Sequence, residues 1–189
     1  MKKTKYEAIV IGVSAGGMQA LRKIIPVLPA KFPVSVTIVL HLHPHSDDYF
    51  VKDLNSKSHL SIKQADEKEA IKPGMVYFAP PNYHLLMETD KTFSLSICDF
   101  VNYARPSIDI LFETAAEVFQ NKLIGIILTG ANKDGCLGAK KIKDYGGKII
   151  VQDPDTAEAE FMPRYVLETV KVDFILPLDK ITNFLMNDI

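Results

Sequence analysis

Residues 8–17 have the sequence AIVIGVSAGG, in which an apolar, β-branched run leads into a glycine-rich turn. With the helical periodicity that follows from Met18, this pattern predicts a strand, a tight turn and a helix. The turn places the small side chain of Ser14 above the end of a sheet. Free backbone N–H groups and the dipole of the following helix point at the same place. Ser14 is therefore a candidate nucleophile if a base and an orienting acid lie within reach.

Strands and helices alternate along the rest of the chain. Further strands are predicted at 34–42, 60–63, 75–79, 123–128, 148–152 and 174–177. Helices are predicted at 18–27, 47–55, 106–119, 135–145, 163–170 and 181–187. Residues 84–88 and 93–98 alternate apolar and polar side chains around a polar turn, which indicates an antiparallel hairpin. Apolar strands separated by helices predict a doubly wound, mostly parallel, Rossmann-like α/β sheet with helices on both faces.

Composition and charge predict a globular domain and argue against nucleic-acid binding and membrane insertion. The 189 residues, 47% hydrophobic and 24% charged, predict one globular domain over residues 1–189. A net charge of −1 gives no basic field for nucleic acid. No apolar stretch approaches the roughly 20 residues of a membrane span, and Lys5 and Glu7 interrupt the start of any signal peptide. We therefore expect a cytoplasmic protein without membrane insertion. The two cysteines, Cys98 and Cys136, make no disulfide framework.

Three side chains with complementary chemistry follow the three most apolar strands. Ser14 follows the first strand, His41 the second, and Asp134 lies in the loop after the third. Because sites in open α/β sheets form at the carboxyl ends of the strands, these side chains are expected at one edge. A serine, a histidine and an aspartate are the nucleophile, the base and the orienting acid of a hydrolytic triad.

Other interpretations of the same residues remain open at this stage. The turn at Gly12–Gly17 is also typical of phosphate or nucleotide sites, although it lacks both the full G-x-G-x-x-G spacing and a P-loop ending. Asp134 could serve only as a cap for the next helix. His84 follows a strand and either lines the cleft or has a structural role.

A metal site is the alternative for the histidines. His41, His43 and His45 alternate, so on a continued strand they would share one face, as metal ligands do. Pro44 interrupts that strand, and the sequence shows no second cluster of ligands. We therefore predict a site without metal, with His41 as the base and His43 as the second choice.

Several segments together resemble one protein family. Residues 11–17 (IGVSAGG), His41 and residues 128–135 (LTGANKDG) are similar to the catalytic domain of chemotaxis protein-glutamate methylesterases. Further similar segments follow in the same order: KPG at 72–74, YFAP at 77–80, RPSIDILF at 105–112, QD at 152–153 and MP at 162–163. Each motif is weak alone, but the ordered set covers nearly the whole chain.

The resemblance implies a reaction and a partner. Members of this family are serine hydrolases, without metal or organic cofactor, that release methanol from γ-glutamyl methyl esters of methyl-accepting chemotaxis receptors. Some also deamidate receptor glutamines. The nucleophile, base and orienting acid would be Ser14, His41 and Asp134.

The resemblance also suggests residues around the reacting atoms. The backbone oxyanion donor would lie near Ala131, or at the helix start after Ser14, at Ala15 and Gly16. Arg105 would orient a carboxylate or the receptor backbone, with a structural salt bridge as the alternative. Met162 would line the cleft.

The chain departs from the family pattern at several positions. Ala15 stands where threonine is usual, and Leu40 where glutamine often precedes the base. Residues 158–161 are EAEF instead of an apolar stretch ending in glycine. If that segment lines the cleft, Glu158 and Glu160 would face an acidic receptor helix. These departures suit a second hypothesis, an impaired hydrolase that binds receptors or signalling partners.

Many family members carry an N-terminal phospho-receiver domain. In this chain the catalytic pattern begins within the first dozen residues, so no receiver domain is expected in residues 1–189. Either a stand-alone form or a segment of a longer protein fits this observation, and the oligomeric state is not predicted.

Overall fold

The computed structural model describes residues 5–189. Its strands are β1 (Ala8–Val13), β2 (Ser35–Leu40), β3 (Ser61–Gln64), β4 (Met75–Phe78), β5 (His84–Met87), β6 (Phe93–Ser96), β7 (Leu123–Ile127), β8 (Lys148–Gln152) and β9 (Phe174–Leu176). Its helices are α1 (Gly17–Ile24), α2 (Tyr49–Ser56), α3 (Ile108–Phe119), α4 (Cys136–Asp144), α5 (Phe161–Thr169) and α6 (Leu178–Asn187).

Seven of the strands form one sheet in the order β3-β4-β2-β1-β7-β8-β9, and every neighbouring pair is parallel. Strand β1 lies between β2 and β7, with Val13 opposite Leu40 and Gly12 opposite Ile127. After β1, the chain adds β2, β3 and β4 on one side of it and then β7, β8 and β9 on the other. This change of direction opens a crevice beyond the carboxyl end of β1, where ligands bind in such sheets.

The continuous apolar character of β1 follows from burial on both faces. Ile9, Ile11 and Val13 belong to one core, which they share with α1, α2 and α6. Ala8 and Val10 belong to the other, which lies under α3, α4 and α5. The predicted doubly wound parallel sheet with helices on both faces is confirmed.

The predicted hairpin is also confirmed. Strands β5 and β6 form a separate antiparallel pair with Met87 opposite Phe93. Leu85, Met87 and Phe93 are buried in the same core as α3, so the hairpin covers one face of the parallel sheet rather than extending its edge.

Several element ends differ from the sequence prediction. Helix α1 ends at Ile24 because Pro26, which lacks an N–H, lies in a 3-10 turn that follows. Strand β2 ends at Leu40, which leaves His41 in the loop. Helix α3 begins at Ile108 with Ser107 as N-cap, two residues after Pro106. Helix α5 begins at Phe161 and includes Pro163, since a proline in the first turn removes no helical hydrogen bond.

Within residues 5–189, no helix is both long enough and apolar enough to cross a membrane. Both cysteines are free thiols, Cys98 exposed and Cys136 buried.

Candidate active site

The parallel ladder brings Ser14 next to His41. The Ser14 N–H donates to the Thr129 carbonyl at 3.0 Å, and the His41 N–H donates to the Val13 carbonyl at 3.1 Å. These bonds continue the pairing of β1 with β7 and β2 beyond the strand ends. The side chains of Ser14 and His41 line the same cleft.

His41 contacts the third predicted residue directly. Its Nε2 atom lies 3.0 Å from Oδ2 of Asp134, which is fully buried. The structure thus brings together all three side chains that the strand ends predicted.

Asp134 is held at the N-terminus of α3. Its Oδ2 atom accepts a hydrogen bond from the Ile108 N–H at 2.6 Å. Its Oδ1 atom accepts from the Ser107 hydroxyl at 2.9 Å and from the Asp109 N–H at 3.2 Å. The N-cap of α4 is Gly135, so Asp134 does not cap the following helix. Instead, its carboxylate satisfies free N–H groups of α3 and interacts with the positive end of that helix.

These contacts keep Asp134 ionised. Burial by itself raises the pKa of its carboxyl, but the hydrogen bonds from His41 and the Ile108 N–H outweigh burial, and the pKa lies below the usual 3.8. The carboxylate can therefore accept the Nε2–H of His41 and stabilise a positive imidazole ring at neutral pH.

Two glycines allow the start of α3 to approach Asp134 closely enough for these hydrogen bonds. A Cβ atom at Gly12 would overlap Cγ2 of Ile108, and one at Gly135 would lie 2.8 Å from the same atom. Gly135 also has a φ of 93°, which other residues rarely adopt. The first residue of α3 thus packs directly on the ends of β1 and of the β7–α4 loop.

Two asparagines that the sequence did not single out complete the hydrogen bonding. Asn132 Nδ2 lies 2.9 Å from Nδ1 of His41, and Asn132 Oδ1 accepts the Asp134 N–H at 3.0 Å. Asn102 Nδ2 donates to Oδ1 of Asp134 at 3.1 Å and to Oδ2 of Asp109 at 2.8 Å. Asn132 lies inside the segment 128–135, and the resemblance of that segment to the family could have drawn attention to it. Nothing in the sequence pointed to Asn102.

A second buried carboxyl lies behind Asp134. Asp109 accepts the Gly138 N–H at 2.8 Å in addition to the Asn102 amide. Burial, followed by the charge of Asp134, raises the pKa of Asp109 to about 7.

Unpaired backbone donors lie in the turn after Ser14 and in the loop after β7. In the part of the chain that the structure describes, the N–H groups of Ala15, Gly16 and Ala131 make no hydrogen bond. These are the predicted oxyanion donors, and they are free to bind a developing negative charge. Thr129 supports the turn, because its hydroxyl donates to the Ala15 carbonyl at 2.8 Å and accepts the Ala159 N–H at 2.8 Å.

Comparison with known proteins identifies the family. The model of the CheB methylesterase family matches residues 9–185. The chain belongs to the CheB methylesterase family. A Leptospira interrogans relative is 58% identical over 176 residues, covering 93% of this chain and 91% of the relative. A Thermotoga maritima protein-glutamate methylesterase/protein-glutamine glutaminase is 40% identical over 176 residues, covering 92% of this chain and 51% of that protein. The chain therefore spans about half the length of the Thermotoga relative.

A solved structure of this CheB methylesterase family has the same fold. The catalytic domain of the Thermotoga maritima CheB methylesterase matches with a TM-score of 0.91 at 40% identity, covering 95% of this chain and 97% of that one. The resemblance inferred from the sequence motifs is thus confirmed at the level of family and fold.

Arg105 lines the cleft with Ser14 and His41. Its guanidinium donates to Asn82 Oδ1 at 2.8 Å and to the carbonyls of Ile97 and Cys98 at 2.8 and 3.0 Å, and it stacks on Phe100. Among residues 5–189 Arg105 forms no salt bridge, so the ion pair considered as its structural role is not found, and its action on a carboxylate or receptor backbone stays a prediction. Its donors instead hold the loop that forms one wall of the cleft.

The prediction that Met162 lines the cleft is wrong. Met162 is fully buried, packs on Gly130 and donates its N–H to the Gly130 carbonyl at 2.8 Å. Its side chain supports the loop that carries Ala131.

Only one of the two additional carboxylates faces the cleft. Glu158 lies over Gly16 and lines the cleft with Ser14. Glu160 pairs with Arg164 at 2.8 Å on α5, because the two residues are one helical turn apart.

The other histidines do not join the site. His43 and His45 are exposed, with ring centroids 5.5 Å apart, and residues 5–189 contain no group of three ligand side chains that could hold a metal ion. His84 is fully buried between the Ser107 N–H at 3.1 Å and the Asp99 carbonyl at 3.0 Å. Of the two roles considered for His84, the structural one is correct.

Proposed function

We propose that this chain is a serine hydrolase that removes methyl groups from glutamate γ-methyl esters of a methyl-accepting chemotaxis receptor. The observation that carries the proposal is the pair that His41 forms with the buried Asp134 beside Ser14, at the switch point of the sheet. The Thermotoga relative, named a protein-glutamate methylesterase/protein-glutamine glutaminase, supports the choice of substrate.

Acylation would begin with proton transfer from Ser14. Because Nε2 of His41 faces Asp134, the nitrogen available for the Ser14 proton is Nδ1. The Ser14 oxygen attacks the γ-carbonyl carbon, and the negative charge that forms on the carbonyl oxygen is bound by free N–H groups of Ala15, Gly16 or Ala131. His41 then passes the proton to the departing methoxide, which leaves as methanol.

Deacylation would use the same groups in reverse. A water molecule gives a proton to Nδ1 of His41 and attacks the glutamyl ester on Ser14. Collapse of the tetrahedral intermediate returns the proton from His41 to Ser14 and frees the γ-carboxylic acid, which then loses its own proton to water. The same acyl-enzyme would form from a glutamine side chain with ammonia as leaving group, so deamidation is part of the proposal.

Phosphate or nucleotide binding is a poorer match to the Gly12–Gly17 turn. The exposed Glu158 carboxylate lies over that turn. No lysine or arginine is among the residues that line this part of the cleft. A phosphate there would meet a like charge without a balancing cation.

The receptor would dock on apolar side chains at the rim of the cleft. Phe100 and Tyr103 line the cleft with Ser14, although 53% and 98% of their surfaces are exposed. Exposed aromatic side chains are enriched at protein interfaces. In line with the prediction from the N-terminal sequence, the proposal places this reaction in the cytoplasm.

The test is methanol release from a methylated receptor cytoplasmic fragment, with the Ser14→Ala variant as control. We expect release by the wild-type protein and none by the variant, which should keep its fold by circular dichroism. A well-folded wild-type protein that releases no methanol would overturn the proposal in favour of a binding module. Ammonia release from an unmethylated fragment tests the deamidation arm in the same samples.

A further inference from the structure

The two ring nitrogens of His41 are both occupied. A carboxylate only accepts hydrogen bonds, so Nε2, 3.0 Å from Asp134, carries the ring proton. An amide nitrogen only donates, so Nδ1, 2.9 Å from Nδ2 of Asn132, accepts. The lone pair that must take the Ser14 proton is therefore held by Asn132.

The orientation of the Asn132 amide follows from its other contact. Its Oδ1 atom lies 3.0 Å from the Asp134 nitrogen, which carries an N–H donor. A flipped amide would bring two donors together at Asp134 and two acceptors together at Nδ1. Only one assignment satisfies the network, with Nδ2 toward His41.

Ser14 is left without this partner. Among the described residues, none forms a hydrogen bond with the Ser14 hydroxyl, although it lines the same cleft as His41 and Asn132. We infer that Asn132 is a positioning residue that occupies Nδ1 of His41 in the resting site and must release it before Ser14 can transfer its proton. This inference rests on the proposed function, because it assigns Ser14 and His41 the roles given above.

Asn132 also disfavours the next step of the reaction. Once His41 has taken the proton, its Nδ1–H and the Asn132 amide are two donors facing each other. Asn132 must therefore stay displaced until the proton reaches the leaving group. Its neighbours Ala131 and Lys133 are exposed, so this part of the loop has space in which to move.

The decisive variant is Asn132→Ser. A serine oxygen can still accept the Asp134 N–H two residues on, so the turn keeps its hydrogen bond, but the side chain is too short to reach His41. The measurement is the rate at which a serine-reactive fluorophosphonate labels Ser14, which needs no receptor. We expect labelling about fivefold faster than in the wild-type protein, the change that one neutral hydrogen bond commonly corresponds to.

Asn132→Asp tests the donor alone. It is nearly isosteric and keeps the acceptor for Asp134, but a carboxylate at Nδ1 holds a proton on that nitrogen, so labelling should fall below the wild-type rate. The nitrogen-15 shift of Nδ1, which a purely structural role would leave unchanged, should move in opposite directions in the two variants.

The outcomes separate this inference from the proposed function. Wild-type labelling with an unchanged or slower rate in a folded Asn132→Ser protein would refute the role of Asn132 and leave Ser14 as the nucleophile. No labelling of either protein would refute the triad and the role of Asn132 together.

Discussion

Asp134 shows at the scale of one residue how a buried charge is stabilised. Its carboxylate has lost water but accepts hydrogen bonds from Ser107, Ile108, Asp109 and Asn102 as well as from His41. Charge-assisted bonds of this kind are about twice as strong as neutral ones. The cluster therefore fixes both the charge of Asp134 and the orientation of the His41 ring.

Replacing this charge should abolish most of the activity. In Asp134→Asn, an amide nitrogen facing Nε2 would force the ring proton onto Nδ1, so no lone pair would face Ser14. We expect kcat to fall about 10³- to 10⁴-fold, as in other triads that lose this carboxylate. The measurement is methanol release by the folded variant. The exposed Asp144→Asn should remain at the wild-type rate, and equal losses in both variants would contradict the role of Asp134.

Asp109 should make stability depend on pH. Its pKa is about 7 in the folded protein, chiefly because of burial, against 3.8 normally. Between these values the folded state binds more protons than the unfolded state, so the free energy of unfolding should fall as pH rises from about 4 to about 7.

The Asp109→Asn variant checks this sign. The fall, a few kcal/mol at about 1.4 kcal/mol per pKa unit, should be seen in the wild-type protein and be missing from the variant, because an asparagine side chain does not titrate. Urea unfolding at about pH 4.5 and about pH 7.5 measures it. A variant that shows the same pH dependence as the wild-type protein would rule out Asp109 as the source.

At the scale of elements, the hydrogen bonds of Asp134 depend on where α3 begins. Ile108 packs against Gly12 and Gly135, which brings the first N–H groups of α3 to Asp134. A methyl group at Gly12 would push this helix away from the carboxylate.

We therefore expect Gly12→Ala to lose both stability and activity. Overpacking a core commonly costs about 1–3 kcal/mol. Gly125→Ala is a matched control, because a Cβ at Gly125 would also be overpacked, 2.7 Å from side-chain atoms of both Ile142 and Ile149. Gly125 lies in the middle of β7, however, away from the strand end that carries the site. Both variants should unfold at lower urea concentrations, but only Gly12→Ala should label slowly with fluorophosphonate while folded. Equal labelling rates would show that the start of α3 does not position the site.

The arrangement of strands and helices also explains which site residues could be predicted from the sequence and which could not. Ser14, His41 and Asp134 were predictable because each follows a strongly apolar strand and parallel strands share one edge. Asn102 and Ser107 were not, because their contacts depend on α3 crossing to a loop more than 25 residues later. Met162 was misplaced because its side chain packs inward on Gly130, and a sequence motif does not specify that direction.

At the scale of the whole molecule, the proposal places catalysis and receptor docking in different parts of one edge of the sheet. The reacting groups lie at the ends of β1, β2 and β7, whereas the exposed aromatic side chains belong to the loop between β6 and α3. With a net charge of −1, long-range attraction to the receptor contributes little. Short-range apolar contacts should therefore determine receptor affinity.

Tyr103→Ala should separate the two functions. We expect the KM for a methylated receptor fragment to rise about tenfold, as for an aromatic residue worth more than 1 kcal/mol at an interface. The rate of Ser14 labelling should not change, because within residues 5–189 no hydrogen bond joins the Tyr103 side chain to the proposed catalytic residues. Tyr145→Ala, at the far end of α4, should leave both quantities unchanged. An unaltered KM in Tyr103→Ala would place docking elsewhere.

The most direct test of the whole proposal is to find the covalent intermediate. Acid quenching during turnover of a methylated receptor peptide, followed by peptide mass spectrometry, locates the acyl group on the protein. We expect a glutamyl ester on the peptide that contains Ser14, and neither adduct nor methanol with Ser14→Ala. An adduct on another residue, or methanol release that persists in Ser14→Ala, would contradict Ser14 as the nucleophile.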